Sequence, residues 1–204
     1  MATRLLHLDS SILGGNSVSR TLSASIVAQL QRQLPGVRVT YRDLAATPIA
    51  HLSGAYLAAS SAGETAPDPA LEADLALGAA VLEEFLAADI VVLGVGFYNF
   101  GIPSQLKAWV DRLAIAGKTF RYTEKGPQGL AGGKRVIVAI ARGGYYGAGT
   151  PSAPMEHAET YLRGVFAFFG IAEIEVVAAE GLNVGAEARK ASLAQADERI
   201  AELV

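Results

Sequence analysis

Short apolar runs alternate with longer segments of helical periodicity along the chain, and polar or glycine-rich residues separate them. This alternation predicts strands and helices in βαβ order. The predicted strands are residues 4–9, 37–43, 89–93, 134–141 and about 173–179. The predicted helices run from the loop at 10–20 to about residue 33, then over 70–87, 105–112, about 154–168 and about 186–202.

The strand–helix repeat predicts a doubly wound parallel sheet with helices on both faces. Five strands suit a three-layer, flavodoxin-like α/β fold, in which the strand order is 2-1-3-4-5. We expect residues 1–204 to form a single domain, with a hairpin or lobe at 121–127. Residues 44–69 form a long connection rich in Ala, Ser, Gly and Pro, with a short helix near 53–60. Connections of this length are typical of functional or mobile segments.

The bulk composition removes several classes of function. With 204 residues, 51% of them hydrophobic, the chain can bury a large core. A formal net charge of -3 argues against a general nucleic-acid surface, and no apolar run reaches the roughly 18–20 residues of a bilayer span. The absence of cysteine removes disulfides, iron–sulfur clusters and thiolate zinc sites. Arg4, His7 and Asp9 are unlike a signal peptide, so we expect a cytoplasmic location.

The stretch from Gly94 to Pro103 has the composition of a ligand platform. It follows the apolar run at 89–93, which indicates a strand buried on both faces, and Pro103 opens the helix at 105–112. Open α/β sheets bind their ligands at the carboxyl ends of the strands. Glycines there let the backbone approach a flat ring, and aromatic side chains supply apolar walls.

The loop after the first strand predicts a phosphate site. It carries Ser11, Ser17 and Ser19 at the start of a helix, where the first backbone N–H groups have no partner within the helix. These N–H groups, the helix dipole and the hydroxyls can hold a phosphate without a fixed cation. The alternative is that Ser17 is only the N-cap of an ordinary helix.

Neither of the common nucleotide-binding motifs is present. The Gly-Lys pair at 133–134 is not a P-loop, because Gln128 stands at the first glycine position and a strand follows. The Gly-Val-Gly at 94–96 follows the third strand and has Asn99 where the dinucleotide fingerprint needs its third glycine. A mononucleotide fits better, with its phosphate in the first loop and its ring at the third strand.

Residues 97–100 are the predicted contacts of that ring. Their backbone groups and the Asn99 amide can bond the pyrimidine edge of a flavin. The Arg-Gly-Gly at 142–144, after the fourth strand, comes close to the same ring in this topology. For Tyr98 and Phe100, the alternative role is core packing.

The remaining polar candidates receive ordinary roles. His7, His51 and His157 lie in the first strand, the long connection and a helix, without metal-ligand spacing, so we expect structural histidines and no metal site. The adjacent carboxylates at 83–84 are expected to be solvated charges at a helix end.

Taken together, the motifs resemble those of the FMN-dependent NADH azoreductases, which are also described as FMN-dependent NADH:quinone oxidoreductases. The resemblance runs through essentially the whole chain, in order and at suitable spacing. The motifs that carry it are Ser10-Ser11-Ile12-Leu13 with Ser17-Val18-Ser19, Tyr98-Asn99-Phe100 followed by Gln105-Leu106-Lys107, Phe120-Arg121-Tyr122-Thr123-Glu124, and Arg142-Gly143-Gly144.

The resemblance implies FMN as cofactor, NADH as electron donor, and a quinone or azo compound as acceptor. It also implies a homodimer with two FMN sites at the subunit interface. The implied phosphate contacts are Ser11, Ser17, Val18 and Ser19, and the implied ring contacts are Phe97, Tyr98, Asn99, Phe100, Arg142, Gly143 and Gly144. Tyr122 and Phe168 are implied as a pocket wall contributed across the dimer. Phe97, where methionine is common in the family, and residues 145–147 depart from its pattern and bear on which acceptors fit.

The implied activity is a ping-pong exchange, in which NADH passes hydride to the flavin N5 and leaves before the acceptor takes it. Two other classes stay open. One is a flavodoxin-like hydrolase or esterase with Ser10, Ser11 or Ser17 as nucleophile, although no Gly-x-Ser-x-Gly elbow is present. The other is a flavin-binding electron carrier without enzymatic activity.

Overall fold

Parallel strands form the central sheet in the computed structural model, which describes residues 2–62 and 68–203. The strands are β1 (Arg4–Asp9), β2 (Arg38–Asp43), β3 (Ile90–Gly96), β4 (Phe120–Thr123), β5 (Gly126–Gly129), β6 (Arg135–Ala141) and β7 (Glu175–Ala179). The main sheet has the order β2-β1-β3-β6-β7, and its neighbouring strands are all parallel. β4 and β5 form a separate antiparallel hairpin. Counted along the main sheet alone, this is the predicted order 2-1-3-4-5, which is therefore confirmed.

Helices cover both faces of this sheet. They are α1 (Val18–Gln33), α2 (Gly54–Ala62), α3 (Pro69–Ala87), α4 (Ser104–Leu113), α5 (Ala158–Phe168) and α6 (Ala186–Ala201). α1 and α6 pack together on one face, while α3, α4 and α5 cover the other, and α2 lies against α3. The predicted three-layer α/β fold is confirmed.

Alternate residues of the central strands supply two separate cores. In β3, Val91 and Leu93 belong to the core beneath α3, α4 and α5, whereas Ile90 and Val92 belong to the core beneath α1 and α6. Every residue of β3 is buried. Because both of its faces need apolar side chains, β3 appears in the sequence as a continuous apolar run.

The boundary difference that bears most on the site is at the end of β3. The strand continues to Gly96, and residues 94–96 pair with residues 139–141 of β6. The platform loop therefore begins at Phe97, and the preceding glycines belong to the sheet. Pro103 is the N-cap of α4.

Other boundaries also move. α1 begins at Val18, inside the predicted loop, and α5 begins at Ala158 because residues 153–155 form a separate 3-10 turn. The helix predicted near 53–60 is α2, and the hairpin predicted at 121–127 is the β4–β5 pair. Residues 63–67 of the predicted long connection lie outside the described residues.

Two polar predictions are wrong. Glu84 is not a solvated charge, because its carboxylate accepts hydrogen bonds from Arg42 at 2.7 and 2.9 Å. His157 is not within a helix but is the N-cap of α5. In the two described stretches, no helix combines the length and the apolarity that a membrane crossing requires. The cytoplasmic location and the single domain over residues 1–204 stay predictions.

Candidate functional site

Three loops meet at the carboxyl edge of the sheet, after β1, β3 and β6. Backbone bonds tie them together just beyond the strands, since Ser10 N donates to Gly94 O and Phe97 N donates to Ala141 O, both at 3.1 Å. A cavity of about 330 Å³ opens between the loops. Among the residues lining it are seven that were predicted as ligand contacts: Ser11, Ser17, Val18, Ser19, Phe97, Tyr98 and Gly143.

The start of α1, at residues 17–19, closes one end of this cavity, which we call the phosphate end because the sequence predicts a phosphate there. The Oγ atoms of Ser17 and Ser19 lie 3.1 Å apart, and both side chains are buried. Ser17 is also the N-cap of α1, because its Oγ accepts a hydrogen bond from Arg20 N at 3.4 Å. The N-cap role given as the alternative for Ser17 is thus present in the structure. It leaves the cavity-lining position of Ser17 unchanged.

Two backbone donors at this helix end stay unpaired. The Ser17 side chain satisfies the N–H of Arg20, and the Ser17 carbonyl satisfies that of Thr21. The N–H groups of Val18 and Ser19 have no hydrogen-bond partner within the part of the chain that the structure describes. Two free N–H groups and nearby hydroxyls at the positive end of a helix form an anion cradle.

Arg20 links the serine-rich loop to the end of β2. Its Nη1 and Nη2 donate to the Asp43 carboxylate at 2.6 and 2.7 Å, while Nη2 and Nε donate to Ser11 O at 2.8 and 3.1 Å. The hydrogen bond from Arg20, helped by the N–H groups of Ala46 and Ala45, lowers the pKa of Asp43 to about 2. The positive charge of Arg20 is therefore matched by Asp43. Its contribution to the site is to hold the Ser11 backbone in place.

Asp9 is buried beneath the same loop. Ser23 Oγ donates to Asp9 Oδ1 at 2.8 Å, and the Tyr41 hydroxyl donates to Oδ2 at 3.1 Å. Burial, and then the charge of Asp9, raises the pKa of Tyr41 to about 12, so Tyr41 keeps its proton as a donor. A Cβ atom at Gly94 would collide with Asp9 Oδ1, which explains why β3 carries a glycine at this point.

A tight turn over residues 98–101, just after β3, lies where the sequence predicts the ring of the ligand, and we call it the ring end. Tyr98 and Gly101 exchange two backbone hydrogen bonds, at 3.1 and 3.0 Å. The central residues Asn99 and Phe100 have φ values of 48° and 72°. Positive φ at both central positions is the geometry of a type I′ turn, which favours Asn and disfavours Phe. The Asn99 side chain is exposed and makes no hydrogen bond to the described residues, so its amide is free for a ligand.

Tyr98 connects the ring end to the phosphate end. Its hydroxyl lies 2.8 Å from Ser11 Oγ, across 87 positions of sequence. Phe97 and Tyr98 also line a second cavity of about 720 Å³, together with Asn99 and the start of α4. Phe100 is 42% exposed, and Tyr98 does not belong to either core. Core packing, the alternative given for these two aromatics, is therefore wrong.

Tyr146, within the 145–147 segment that departs from the family pattern, is a neighbour of Phe97 and Phe100. Its ring centroid lies 4.7 Å from that of Phe97 and 6.1 Å from that of Phe100. The three rings form one aromatic cluster at the turn, in which Phe100 is exposed and Phe97 and Tyr146 are half-buried. This cluster contains both departures from the family pattern, the one at Phe97 and the one at 145–147.

The side chain of Arg142 does not line either cavity, although it was predicted as a ring contact. The guanidinium is buried and donates to Glu180, Glu156 and Glu159 at 2.9, 3.0 and 3.0 Å. Burial acts to lower the pKa of Arg142, but the hydrogen bonds to Glu180 and Glu159 outweigh it and raise that pKa. Only the backbone of Arg142 remains for a ring contact.

The glycines after Arg142 join the β6 loop to the loop after β7. Gly143 O accepts from Asn183 N, and Gly144 O accepts from Gly181 N, both at 2.9 Å. A Cβ at Gly143 would lie 2.7 Å from Asn183 Nδ2, so the two loops meet at van der Waals range only because Gly143 has no side chain. Gly143 lines the cavity, whereas Gly144 lies against Tyr146.

Leu182, Asn183 and Arg189 complete the wall of the first cavity, and the sequence analysis missed all three. They follow β7, so the rule that ligands bind at the carboxyl ends of strands would have found them if applied to the fifth strand. Ile12 and Gln105, which line the second cavity, were also missed, whereas Ile102 lies within the predicted platform stretch.

Tyr122 and Phe168 lie outside both cavities. Tyr122 is on the β4–β5 hairpin and is 76% exposed. Phe120 lies between the two aromatics, with ring centroids 5.4 Å from Tyr122 and 4.5 Å from Phe168. In one chain these residues form a separate aromatic surface.

His7, His51 and His157 are not among the residues that line these two cavities, although His157 N donates to Phe100 O at 3.0 Å. His7 is buried, and its Nε2 lies 3.0 Å from Ser23 Oγ, a structural contact as predicted. His51 and His157 line a third cavity of about 460 Å³ beside Tyr161. Burial, and then Asp111, raises the pKa of Tyr161 to about 12.

The strand order and the three loops at its carboxyl edge define a flavodoxin-like protein, and a model of the flavodoxin-like fold family matches residues 3–204. The chain is 60% identical over 194 residues to FMN-dependent NADH:quinone oxidoreductase 2 of Bradyrhizobium diazoefficiens, with 95% of each chain covered. It is 60% identical over 198 residues to the FMN-dependent NADH:quinone oxidoreductase of Xanthomonas campestris pv. campestris, with 97% of each covered. The crystal structure of an azoreductase from Bacillus anthracis matches with a TM-score of 0.86 at 29% identity, over 98% of this chain and all of that one. The chain therefore belongs to the flavodoxin-like family that includes the FMN-dependent NADH:quinone oxidoreductases.

Proposed function

We propose that the protein is an FMN-dependent oxidoreductase that uses NADH to reduce quinones and azo compounds. The observation that carries the proposal is the wall of the first cavity, where the anion cradle at Val18 and Ser19 and the half-buried Phe97 and Tyr98 face one space. This matches a ligand with a phosphate at one end and a flat ring at the other. The names of these relatives specify FMN, NADH and quinone for those proteins.

The chemical groups at both ends fit FMN. The unpaired N–H groups of Val18 and Ser19 and the buried hydroxyls of Ser17 and Ser19 are donors for phosphate oxygens. The Asn99 amide offers a donor and an acceptor for the polar edge of the ring. Phe97 provides an apolar surface beside it, supported by Tyr146.

When bound, FMN supplies hydride transfer through its N5 between NADH and the acceptor, in a ping-pong exchange. The residues of the chain bind the cofactor, orient it and exclude water from the site. Among the described residues, neither of the two cavities is lined by a carboxylate or an imidazole, the groups most often used as a general acid or base. This agrees with chemistry that needs positioning more than proton transfer by a side chain.

The hydrolase alternative lacks an activating base. Ser10 Oγ donates to Gly94 O, Ser11 Oγ contacts the Tyr98 hydroxyl, and Ser17 Oγ contacts Ser19 Oγ. Within the described part of the chain, none of the three candidate nucleophiles bonds to a histidine, as an activated serine requires. The electron-carrier alternative shares the cofactor and differs only in its response to NADH.

We further propose that the protein acts as a homodimer. Tyr122 is a large aromatic residue with 76% of its surface exposed on a hairpin. It packs on the buried Phe120, whose other neighbour is the half-buried Phe168, and the outer part of this aromatic group lies beside solvent in a single chain. In the dimer, Tyr122 and Phe168 of one subunit would complete the ring end of the other subunit's site.

The absorption spectrum of the purified protein and its response to NADH test this function. We expect a yellow protein that releases FMN on denaturation, whose visible absorption bleaches rapidly on mixing with NADH and returns on addition of a quinone. A colourless protein that takes up no added FMN would overturn the proposal. A yellow protein that NADH does not bleach would instead favour the electron carrier.

A further inference from the structure

We propose that Arg189 recognises the phosphate of the bound nucleotide and supplies its counter-charge. This inference rests on the proposed function, and it changes one expectation drawn from the sequence, namely a phosphate held without a fixed cation. Arg189 lies in the first turn of α6, far along the chain from the serine-rich loop, and it lines the same cavity as Ser17, Val18 and Ser19.

The positions of α1 and α6 explain how this residue reaches the site. Both helices start at the carboxyl edge of the sheet, pack on the same face and contact each other. The start of α1 forms one wall of the cavity, and Leu182, Asn183 and Arg189 form another. A ligand at the N–H groups of Val18 and Ser19 therefore shares its cavity with the first turn of α6.

Charge distinguishes Arg189 from its neighbours in this wall. It is the one charged residue among those that line the cavity. Its side chain forms no hydrogen bond or ion pair with any described residue. The other arginine near the phosphate end, Arg20, is bonded through both terminal nitrogens to Asp43 and is already neutralised. A phosphate monoester carries a charge of about -1.5 to -2 near neutral pH, and Arg189 is the available cation.

The local placement of Arg189 gives a bound anion an electrostatic advantage. Arg189 is exposed in the first turn of α6, where a cation meets the positive end of that helix's own dipole. The N-cap of α6 is Gly185, which provides no side-chain acceptor, and the acidic residue of that turn, Glu187, does not line the cavity. The start of α1 and Arg189 therefore line one space that has no acidic residue in its described wall. Both favour an anion bound there.

The test compares the affinities of the flavin-free full-length protein for FMN and for riboflavin, which has the same ring but no phosphate. Binding is followed by quenching of flavin fluorescence. The variants are Arg189→Ala, Arg189→Lys, and Lys190→Ala as the matched control, because Lys190 is the adjacent exposed cation and does not line the cavity. We expect Arg189→Ala to weaken FMN binding by about fivefold to tenfold, the range of an ion pair reinforced by hydrogen bonds. Riboflavin binding should not change.

Four further results support or overturn the inference. Arg189→Lys should recover part of the FMN affinity, and the difference between wild type and Arg189→Ala should shrink as salt is added, because exposed charges are screened. Equal FMN affinity in Arg189→Ala and Lys190→Ala would overturn the role of Arg189, and so would an equal loss of FMN and riboflavin in Arg189→Ala. If the wild-type protein itself binds no FMN, it is the proposed function that fails.

Discussion

At the scale of single residues, Asn99 adopts an unfavourable backbone conformation at a position in the candidate site. Asn99 and Phe100 both adopt positive φ, which costs roughly 1–2 kcal/mol for a residue with a side chain and less for Asn. Their turn places a free amide and an exposed ring beside the two cavities. The backbone strain and the free amide occur at the same residue. Two different substitutions of Asn99 can therefore separate the effect of the strain on stability from the effect of the amide on flavin binding.

The first prediction compares Asn99→Gly with Asn99→Ala. Both remove the amide, so both should weaken FMN binding or slow flavin reduction by NADH. Only Asn99→Ala should also lower the free energy of unfolding, by about 1 kcal/mol, because glycine accepts positive φ and alanine does not. Flavin titration and urea denaturation of the flavin-free protein measure the two effects. Unchanged flavin occupancy and turnover in both variants would remove Asn99 from the site.

The second prediction concerns acid stability at Asp43. Because Arg20 lowers the pKa of this carboxylate from 3.8 to about 2, the folded state is stabilised above the unfolded pKa. That stabilisation is lost as the pH falls from about 4 towards 2. Asp43→Asn should lower the free energy of unfolding near neutral pH by about 1 kcal/mol, after allowance for solvent screening of a partly exposed pair.

The control for Asp43→Asn is Glu173→Gln, at an exposed carboxylate that is in no ion pair with the described residues. Urea unfolding is measured at neutral pH and again near pH 3. The expected result is a loss in Asp43→Asn that narrows at the lower pH, with no loss in Glu173→Gln. A loss in Asp43→Asn that is equal at both pH values would contradict the ion-pair explanation.

Residues also show where the sequence is informative and where it is not. Ser11, Ser17 and Ser19 were predictable because a hydroxyl-rich loop between a strand and a helix is a local pattern. The burial of the Arg142 side chain was not. Its carboxylate partners are at positions 156, 159 and 180, and nothing near Arg142 in the sequence indicates that the fold brings them together.

At the scale of elements, the contact between β3 and the start of α1 decides how the loops are placed. An added Cβ at Gly94 would lie 3.0 Å from Ser23 Oγ and 3.3 Å from Ser19 O, besides its collision with Asp9. α1 and β1 can therefore approach β3 this closely only because position 94 has no side chain. The same approach brings the serine loop to the cavity.

The third prediction is that Gly94→Ala destabilises the fold by about 1–3 kcal/mol, the usual cost of overpacking a close contact. It should weaken FMN binding as well, because relief of the clash shifts α1. Gly15→Ala is the matched control, since an added Cβ there meets no atom within 4 Å and the residue lies in the loop between β1 and α1. Thermal unfolding and flavin titration measure both effects. A Gly94→Ala protein as stable as Gly15→Ala would show that the contact is not tight.

Elements were the level best predicted from the sequence, because the apolar periodicity follows directly from two-sided burial of the sheet. The end of β3 was the main boundary error. Residues 94–96 were assigned to a loop on account of their glycines. Position 94 needs a glycine because Asp9 approaches it, and position 96 because the Tyr98 ring does. These contacts depend on the folded structure and cannot be inferred from the sequence.

At the scale of the whole molecule, the predicted homodimer has a decisive test in complementation. Asn99→Ala impairs the site of its own subunit, whereas Tyr122→Ala would impair the site of the partner. Unfolding and refolding an equal mixture of the two variants should form heterodimers in which one site carries both changes and the other carries neither. The fourth prediction is recovery of about a quarter of the wild-type quinone reductase activity, set by random pairing.

The controls for complementation are each variant refolded alone and a mixture of Asn99→Ala with Asn99→Gly, which should gain nothing. Tyr122→Ala should keep the stability of the wild-type chain, because the side chain is mostly exposed within one subunit. Activity in the mixture that only averages the two variants would contradict a shared site.

The whole-molecule arrangement was predicted in outline but not at its far edge. Strand order and the meeting of three loops followed from the βαβ pattern. The fourth wall, formed after β7 by Leu182, Asn183 and Arg189, was missed, since that segment has neither the glycine–aromatic composition nor the clustered hydroxyls of the other loops.

The cavity wall therefore spans the chain from Ser11 to Arg189. A polypeptide leaving the ribosome exposes its serine loop first and Arg189 only after the start of α6 has emerged. Uptake of the proposed nucleotide into a complete cavity accordingly has to wait for α6, and a nascent chain halted before α6 lacks the part of the wall that Arg189 forms.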